Sequence, residues 1–228
     1  MLGQEIQLWL ALLREASSNR CLNSETSVDY ASKVDLSGLE ATYVSVDGRQ
    51  CFKSLLPLAF KAIEAGADIY DVSNLLDWRD FEELVLEYLR LSGLEGVRGL
   101  RSRVRRYEYD VVAVSPISGI GLIIDCKHWS PSHSKRGRLK QAANKHRLKC
   151  EHLVNICESF KENHKLIARV KWFIPVLVTL SDVLRGSIEG VLVVPVRAFR
   201  DFIVNLEYYV DLMREPRLKL RNKCWGSS

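Results

Sequence analysis

The chain has 228 residues, 47% hydrophobic and 27% charged, with a net charge of +5 at neutral pH. That length supports a full-sized core and one or two domains, and the composition is ordinary for a globular protein. No apolar run reaches the length of a bilayer-crossing helix, so no membrane partner is expected. "LWLALL" near the start is bracketed by Glu5 and Arg14, with no small-residue cleavage site after it. No signal peptide is read, a cytoplasmic protein is expected, and the six cysteines are expected as reduced thiols.

In chain order, residues 4–16 predict an amphipathic helix. Residues 17–50 are polar, with one strand in "ATYVSVDG", where Asp47-Gly48 is a turn signal. "KSLLPLAFKAIEAGADIYDVSNLLDW" predicts a helix stopped at Gly66 and a short second helix after Asp68. Helix, glycine turn and short helix form the outline of a helix-turn-helix, but the segment is not basic, which favours a packing cap or dimer surface over a DNA reader.

"DWRDFEELVLEYLRLSGLEG" carries Phe81, Leu84, Val85, Tyr88 and Leu89 on one apolar stripe closed by Gly93. Glu82 sits at the edge of that stripe and Glu83 points farther toward solvent. Strands are predicted within 95–101, in "RRYEYDVVAV" and in "IGLIIDCK", the last two joined by the Pro and Gly of "SPISG". A basic helix is predicted over about 135–162. "KWFIPVLVTL" and "GVLVVPV" read as strands buried on both faces, with a last helix over about 198–213. The fold class is α/β, a mixed central sheet flanked by helices, with a mainly helical N-terminal segment. The domains expected are 1–72, 73–213 and a frayed basic tail, 214–228.

Charge is concentrated in two blocks. "VRGLRSRVRR" carries five arginines and no acid. From Cys126 to Cys150 there is again no acid, while Lys135, Arg136, Arg138, Lys140, Lys145, Arg147 and Lys149 gather there. Such blocks suit a polyanion or form a solvated basic face. A zinc site can be drawn from His146, Cys150, His152 and Cys157. No CxxC knuckle supports it, and ordinary thiols on a helix are the expectation.

Between the blocks, "GLIIDCKHW" ends a core strand on Asp125 and Lys127, two residues apart and therefore on one face. If the loop is Pro116 to Gly119, Ser115 faces Ile120, paired numbers sum to 235, and Asp110 lies opposite Asp125. Cross-strand neighbours share a face at about 5 Å, and two carboxylates there repel unless a proton or a hard cation lies between them. Lys127 lies next along the same face, and Glu82 arrives from the helix that packs on the sheet. A one-residue slip would turn Asp110 away. Glu108 would face Lys127 in this register, as a structural ion pair.

"DFEELVLEYLRLSGL", "RRYEYDVVAV" and "GLIIDCKHW", in that order, resemble the core of the PD-(D/E)XK nuclease superfamily, with its restriction-endonuclease-like fold. They are most similar to the Mrr-type restriction endonuclease branch and more distantly to archaeal Holliday-junction resolvases. The resemblance covers about residues 74–195. It implies Mg²⁺ or Mn²⁺ held by Asp110, Asp125 and the carbonyl of Cys126, with Glu82 acting through a water and Lys127 orienting the attacking water. Gln141 matches a glutamine the family often has on the following helix. Tyr109 stands where proline is usual, and Asp125 where Glu is commoner.

The expected function is a metal-dependent deoxyribonuclease, an endonuclease, with DNA as partner. Arg101, Arg103, Arg105 and Arg106 are expected on phosphates, together with Lys135, Arg136, Arg138, Lys140 and Gln141. The rivals are a non-catalytic nucleic-acid binder on the same fold and an assembly protein that dimerises through residues 1–72. RNA stays open as a substrate. His128, His133 and His146 need no proton-relay role, and Trp129 is expected to pack rather than stack.

Overall fold

The computed structural model describes residues 2–23, 39, 42–44, 49–129, 135–156, 160, 164–182, 184–212 and 216–226. Contacts divide the chain into two compact units, Met1–Phe81 and Glu82–Ser228. The boundary falls at 81/82 rather than 72/73, and the tail expected to fray belongs to the second unit.

In the first unit, the Leu2–Asn19 helix buries Trp9, Leu10, Leu12, Leu13 and Ala16 against the helices Leu56–Glu64 and Ile69–Leu75. Gly66, at φ +102°, ends the first of that pair, and the Asp68 carboxylate caps the second by accepting from the Tyr70 amide at 2.8 Å. The helix, turn and helix of the sequence reading are therefore present. Strands β1 (Thr42–Val44) and β2 (Gln50–Phe52) pair antiparallel; the Asp47-Gly48 turn lies outside the described residues.

One expectation is overturned in this unit. Cys21 and Cys51 form a β-bridge that brings their Cα atoms within 4.0 Å, and they are joined as a disulfide. Thirty residues of sequence separation hid the pairing. Cys224, in the second unit, is disulfide-bonded as well, and Cys126 and Cys150 are free thiols. The expectation of six reduced thiols falls with these bonds. No described helix is long and apolar enough to cross a membrane.

The second unit is a mixed sheet between helices, as its runs of apolar residues predicted. Its strands are β3 (Glu95–Arg101), β4 (Glu108–Val114), β5 (Ile120–Lys127), β6 (Trp172–Thr179), β7 (Gly186–Ile188), β8 (Val191–Pro195) and β9 (Leu220–Arg221). The spatial order is β3-β4-β5-β6-β8-β7, with β9 on the early end of β6. β3, β4 and β5 form an antiparallel meander; β5, β6 and β8 are parallel. The parallel core strands β6 and β8 are buried almost throughout, because helices cover both faces.

From Glu82 on, where the Trp78–Leu91 helix belongs to this unit, it lies close over β3 and β4. A Cβ added at Gly96 would stand 2.7 Å from Leu86 Cδ1 and 3.3 Å from Ala113 Cβ. The Lys135–Asn155 helix covers the opposite face, where Cys150, Leu153 and Val154 share a core with Val112, Val114 and Ile123. The predicted last helix is two, Val196–Val204 and Leu206–Leu212. The predicted frayed tail is packed instead. β9 pairs with β6, and Asn222, 3% exposed, donates from Nδ2 to the carbonyls of Ile167 and Val170, both at 2.8 Å.

Candidate active site at the β4–β5 fork

The hairpin register is the one the loop length predicted. Val111 pairs with Ile124, Val112 with Ile123, Ala113 with Leu122 and Val114 with Gly121, and the Ser115 amide donates to Ile120 O at 2.8 Å. The next pair would be Asp110 with Asp125, but the ladder stops at Val111. The Asp110 carboxylate intrudes, its Oδ2 accepting from the Cys126 amide at 2.7 Å. On the other side, β3 also skips Asp110: Arg98 pairs with Val111 and Leu100 with Tyr109, while Gly99 between them has φ +64°. A left-handed glycine opposite an interrupted ladder loosens and twists the strand locally. The buried ring of Tyr109 joins the core of Val112 and Val114, and its hydroxyl donates to Lys149 O at 2.9 Å. Strict alternation would separate Tyr109 from those valines, so the strand turns at Asp110.

Three carboxylates crowd this fork. Glu82, first residue of the second unit, has a pKa pushed up to about 7, by burial first and then by the negative charge of Asp110. Asp110 is pushed up to about 6, again by burial and then by Asp125. The Cys126 thiol is raised by burial and then by the fields of Asp110, Glu82 and Asp125. Glu82 is half in contact with a counter-charge, Arg98 Nη1 at 3.6 Å, while the same guanidinium pairs more closely with Glu83 at 2.8 Å. Glu82 is the more buried of the two glutamates, in line with its position at the edge of the apolar stripe.

Asp125, 6% exposed, is flanked by two ammoniums. Lys127 makes an ion pair with Oδ2, an atom that has no partner of hydrogen-bond geometry, and Lys149 Nζ lies 3.7 Å from Oδ1. Lys149 also donates to the carbonyl of Glu108 at 3.1 Å. Glu108 itself pairs with Arg101 at 3.2 Å, not with Lys127 as the register suggested. Both partners of that pair are exposed.

A cleft of about 450 Å³ opens beside these residues. Its lining includes Asp125, Lys127, Trp129, Arg138, Gln141, Lys145 and Lys149. The basic helix is thus sorted by its own geometry. Arg138, Gln141, Lys145 and Lys149 fall on one stripe toward the cleft. Lys140 turns to Glu189 at 3.2 Å, and Arg147 is structural, donating to Glu151 at 2.8 Å and to the carbonyls of Gly190 and Arg217. Lys135 and Arg136 lie in the first turn of the helix, and their side chains, like His133, lie outside the described residues. Arg101, Arg103, Arg105 and Arg106 stand exposed at the end of β3 and in the loop to β4, at the same end of the sheet as Asp110 but outside the cleft lining.

The drawn zinc set does not assemble. His146 Nε2 bonds to Ile123 O at 2.9 Å with Cys150 Sγ 3.4 Å away, whereas His152 bonds to Ser102 Oγ at 2.9 Å, and Cys157 lies outside the described residues. Among the described residues no three His, Cys, Asp or Glu side chains form a metal-holding group. The set implied by the resemblance needs fewer, two carboxylates and the Cys126 carbonyl. The mutual repulsion of Glu82, Asp110 and Asp125 is a field that suits a cation. Sequence reasoning missed Lys149 and Arg98 as members of the site. Lys149 carried one signal, its place one helical stripe from Gln141 and Lys145.

No family model matches the chain. It is similar to an uncharacterized protein from Archaeoglobus fulgidus, 32% identical over 105 residues, a span of 46% of this chain and 70% of the archaeal one. The chain belongs to the family of that archaeal protein. Among solved structures it is similar to a protein from Vibrio cholerae, at 12% identity and a TM-score of 0.29, covering 92% of this chain and 51% of that one. The chain spans about half the length of the Vibrio protein.

Proposed function

We propose that the protein is a metal-dependent deoxyribonuclease that hydrolyses backbone phosphodiesters, with endonucleolytic cleavage favoured. The observation that carries this reading is the convergence of Glu82, Asp110, Asp125 and Lys127, from one helix and two strands, where the β4–β5 ladder parts. Asp110, Asp125 and the Cys126 carbonyl would hold Mg²⁺ or Mn²⁺, with Glu82 reaching it through water. Bound there, the ion would supply charge for phosphate oxygens and acidify a water. Lys127, half-buried beside Asp125, orients the attacking water and offsets charge that develops on the phosphate. Arg98, 3.6 Å from Glu82, offsets part of its charge. Lys149 holds Asp125 from the opposite side. The resemblance of "DFEELVLEYLRLSGL", "RRYEYDVVAV" and "GLIIDCKHW" to PD-(D/E)XK nucleases supports the same assignment.

A second reading, a nucleic-acid binder without turnover, is favoured by one observation. Two ammoniums already offset the charge of Asp125, as they would at a purely structural strand end. The two separate on labelled linear duplex, single-stranded and four-way-junction DNA with Mg²⁺, Mn²⁺ or EDTA. Cleavage in Mg²⁺ or Mn²⁺ that stops in EDTA is expected. Binding to all three substrates with no cleavage in either metal would overturn the nuclease in favour of the binder.

A further inference from the structure

The cleft beside Lys127 has a composition that the cleavage reading alone does not require. Its rim is polar: Arg138, Gln141 and Lys145 lie one above the other on the helix, and among the described residues none has a hydrogen-bond or ion-pair partner. Its floor is recessed. The side chains of Lys127 and Lys149 are only 22% and 28% exposed. From Arg138 to Lys149 the stripe runs about 16 Å along the helix. One wall is aromatic. Trp129 packs against the core of Leu139, Ala143 and Leu177, lines the cleft, and has Lys127 Nζ 5.8 Å from its ring centroid. The lining also includes His146, which is 2% exposed. Its Nε2 is committed to Ile123 O, and its buried Nδ1 has no partner. Burial keeps this imidazole neutral, its pKa lowered, so Nδ1 is an acceptor without a donor.

These features select among forms of nucleic acid. Cations bind any phosphate backbone. An aromatic wall is of use only to a base whose face is uncovered, and a buried acceptor in the lining only to a group that can enter the cleft. A duplex is a stiff cylinder with its bases stacked inside, and a cleft of about 450 Å³ has the size of a small-ligand pocket, roughly 300 to 1,000 Å³. Resting on the phosphodiesterase reading of the fork, we infer that the site takes an unpaired strand: a single-stranded segment or a frayed or flapped end. Its backbone runs along Arg138, Lys145 and Lys149, one base lies against Trp129, and its phosphate is delivered to Lys127. An intact duplex has to open before it reaches the floor.

The test is fluorescence anisotropy on the whole chain in EDTA. The probes are end-labelled single-stranded DNA, single-stranded RNA of the same sequence, and the blunt DNA duplex, over a range of salt. Wild type is expected to bind either single strand at least tenfold more tightly than the duplex. Arg138→Ala/Lys145→Ala, two exposed positions, is expected to weaken single-strand binding about tenfold and to lower the salt slope by about 1.4, two phosphate contacts' worth. Trp129→Leu is expected to weaken single-strand binding and leave duplex binding unchanged. Duplex binding equal to or tighter than single-strand binding would overturn the inference, as would a double variant with wild-type affinity. Because cleavage is absent in EDTA, single-strand preference without hydrolysis in Mg²⁺ would sink the nuclease reading and leave the strand-binding cleft standing.

Discussion

The two ends of the β4–β5 hairpin are built from the same two strands and behave in opposite ways. At the turn end, pairing is complete and packing is tight. Gly121 faces Val114, and a Cβ there would lie 2.4 Å from Phe173 Cε1 and 2.9 Å from Val170 Cγ1. At the other end the ladder stops one pair early, a carboxylate takes the Cys126 amide, and ionised groups replace apolar ones. Apolar burial closes one end, while the cost of bringing Asp110 and Asp125 together keeps the other open. A cluster of charged groups thus sits where the sheet gives up its own hydrogen bonds, held in place by the end that does not.

The strongest break in this comparison is at the closed end. Gly121→Val drives a side chain into Phe173 and Val170, and overpacking of this kind costs about 3 kcal/mol. For a chain of this size that lowers the melting temperature by about 10 °C. A melting curve within 2 °C of wild type, roughly half a kcal/mol, would show that the closed end is not tightly determined.

The open end is expected to respond to pH instead. Glu82 holds its proton to about pH 7 in the folded chain, against about 4.3 when unfolded. The folded state therefore binds more protons between those values, and wild-type stability falls as pH rises through that window. Glu82→Gln removes the effect. In EDTA its melting temperature is expected to match wild type near pH 4 and to exceed it increasingly up to pH 8, whereas a difference independent of pH would place Glu82 outside the charged cluster. Adding Mn²⁺ at pH 8 is expected to raise the wild-type melting temperature by binding the folded state, and to leave Asp110→Asn unmoved.

The smallest effect belongs to the exposed arginines. Arg101 is 76% exposed in its pair with Glu108, where an ion pair contributes less than about 1 kcal/mol. Arg101→Ala is expected to keep the wild-type melting temperature and to cost less than threefold in DNA binding. A tenfold loss would move the phosphate track from the cleft to the arginine loop.

Legibility followed the length scale of the interactions. The Trp78–Leu91 helix, β4, β5, β6 and β8 were readable because each carries its own periodic or continuous apolar pattern. The hairpin register was readable because a four-residue loop fixes it. β7 and β9 were not, since strands of three and two residues exist only through β8 and β6. The Cys21–Cys51 bond depends on a bridge between distant segments. The block from 126 to 150 looked uniform, yet Lys140 and Arg147 pair with groups far along the chain while Arg138 and Lys145 line the cleft. Lys149 became visible only when its helix was laid over Asp125.

The most direct measurement is single-turnover cleavage of a labelled single-stranded oligonucleotide in Mn²⁺ by wild type and by Lys127→Ala, with melting curves for both. Lys149 still faces Asp125 in the variant, so the fold is expected to hold, its melting temperature within about 4 °C of wild type. Cleavage is expected to fall by about a thousandfold, the scale on which a positioned charge-stabilising donor acts. Cleavage by the variant within threefold of wild type, in a folded protein, would contradict the assignment of the β4–β5 fork as the site of hydrolysis.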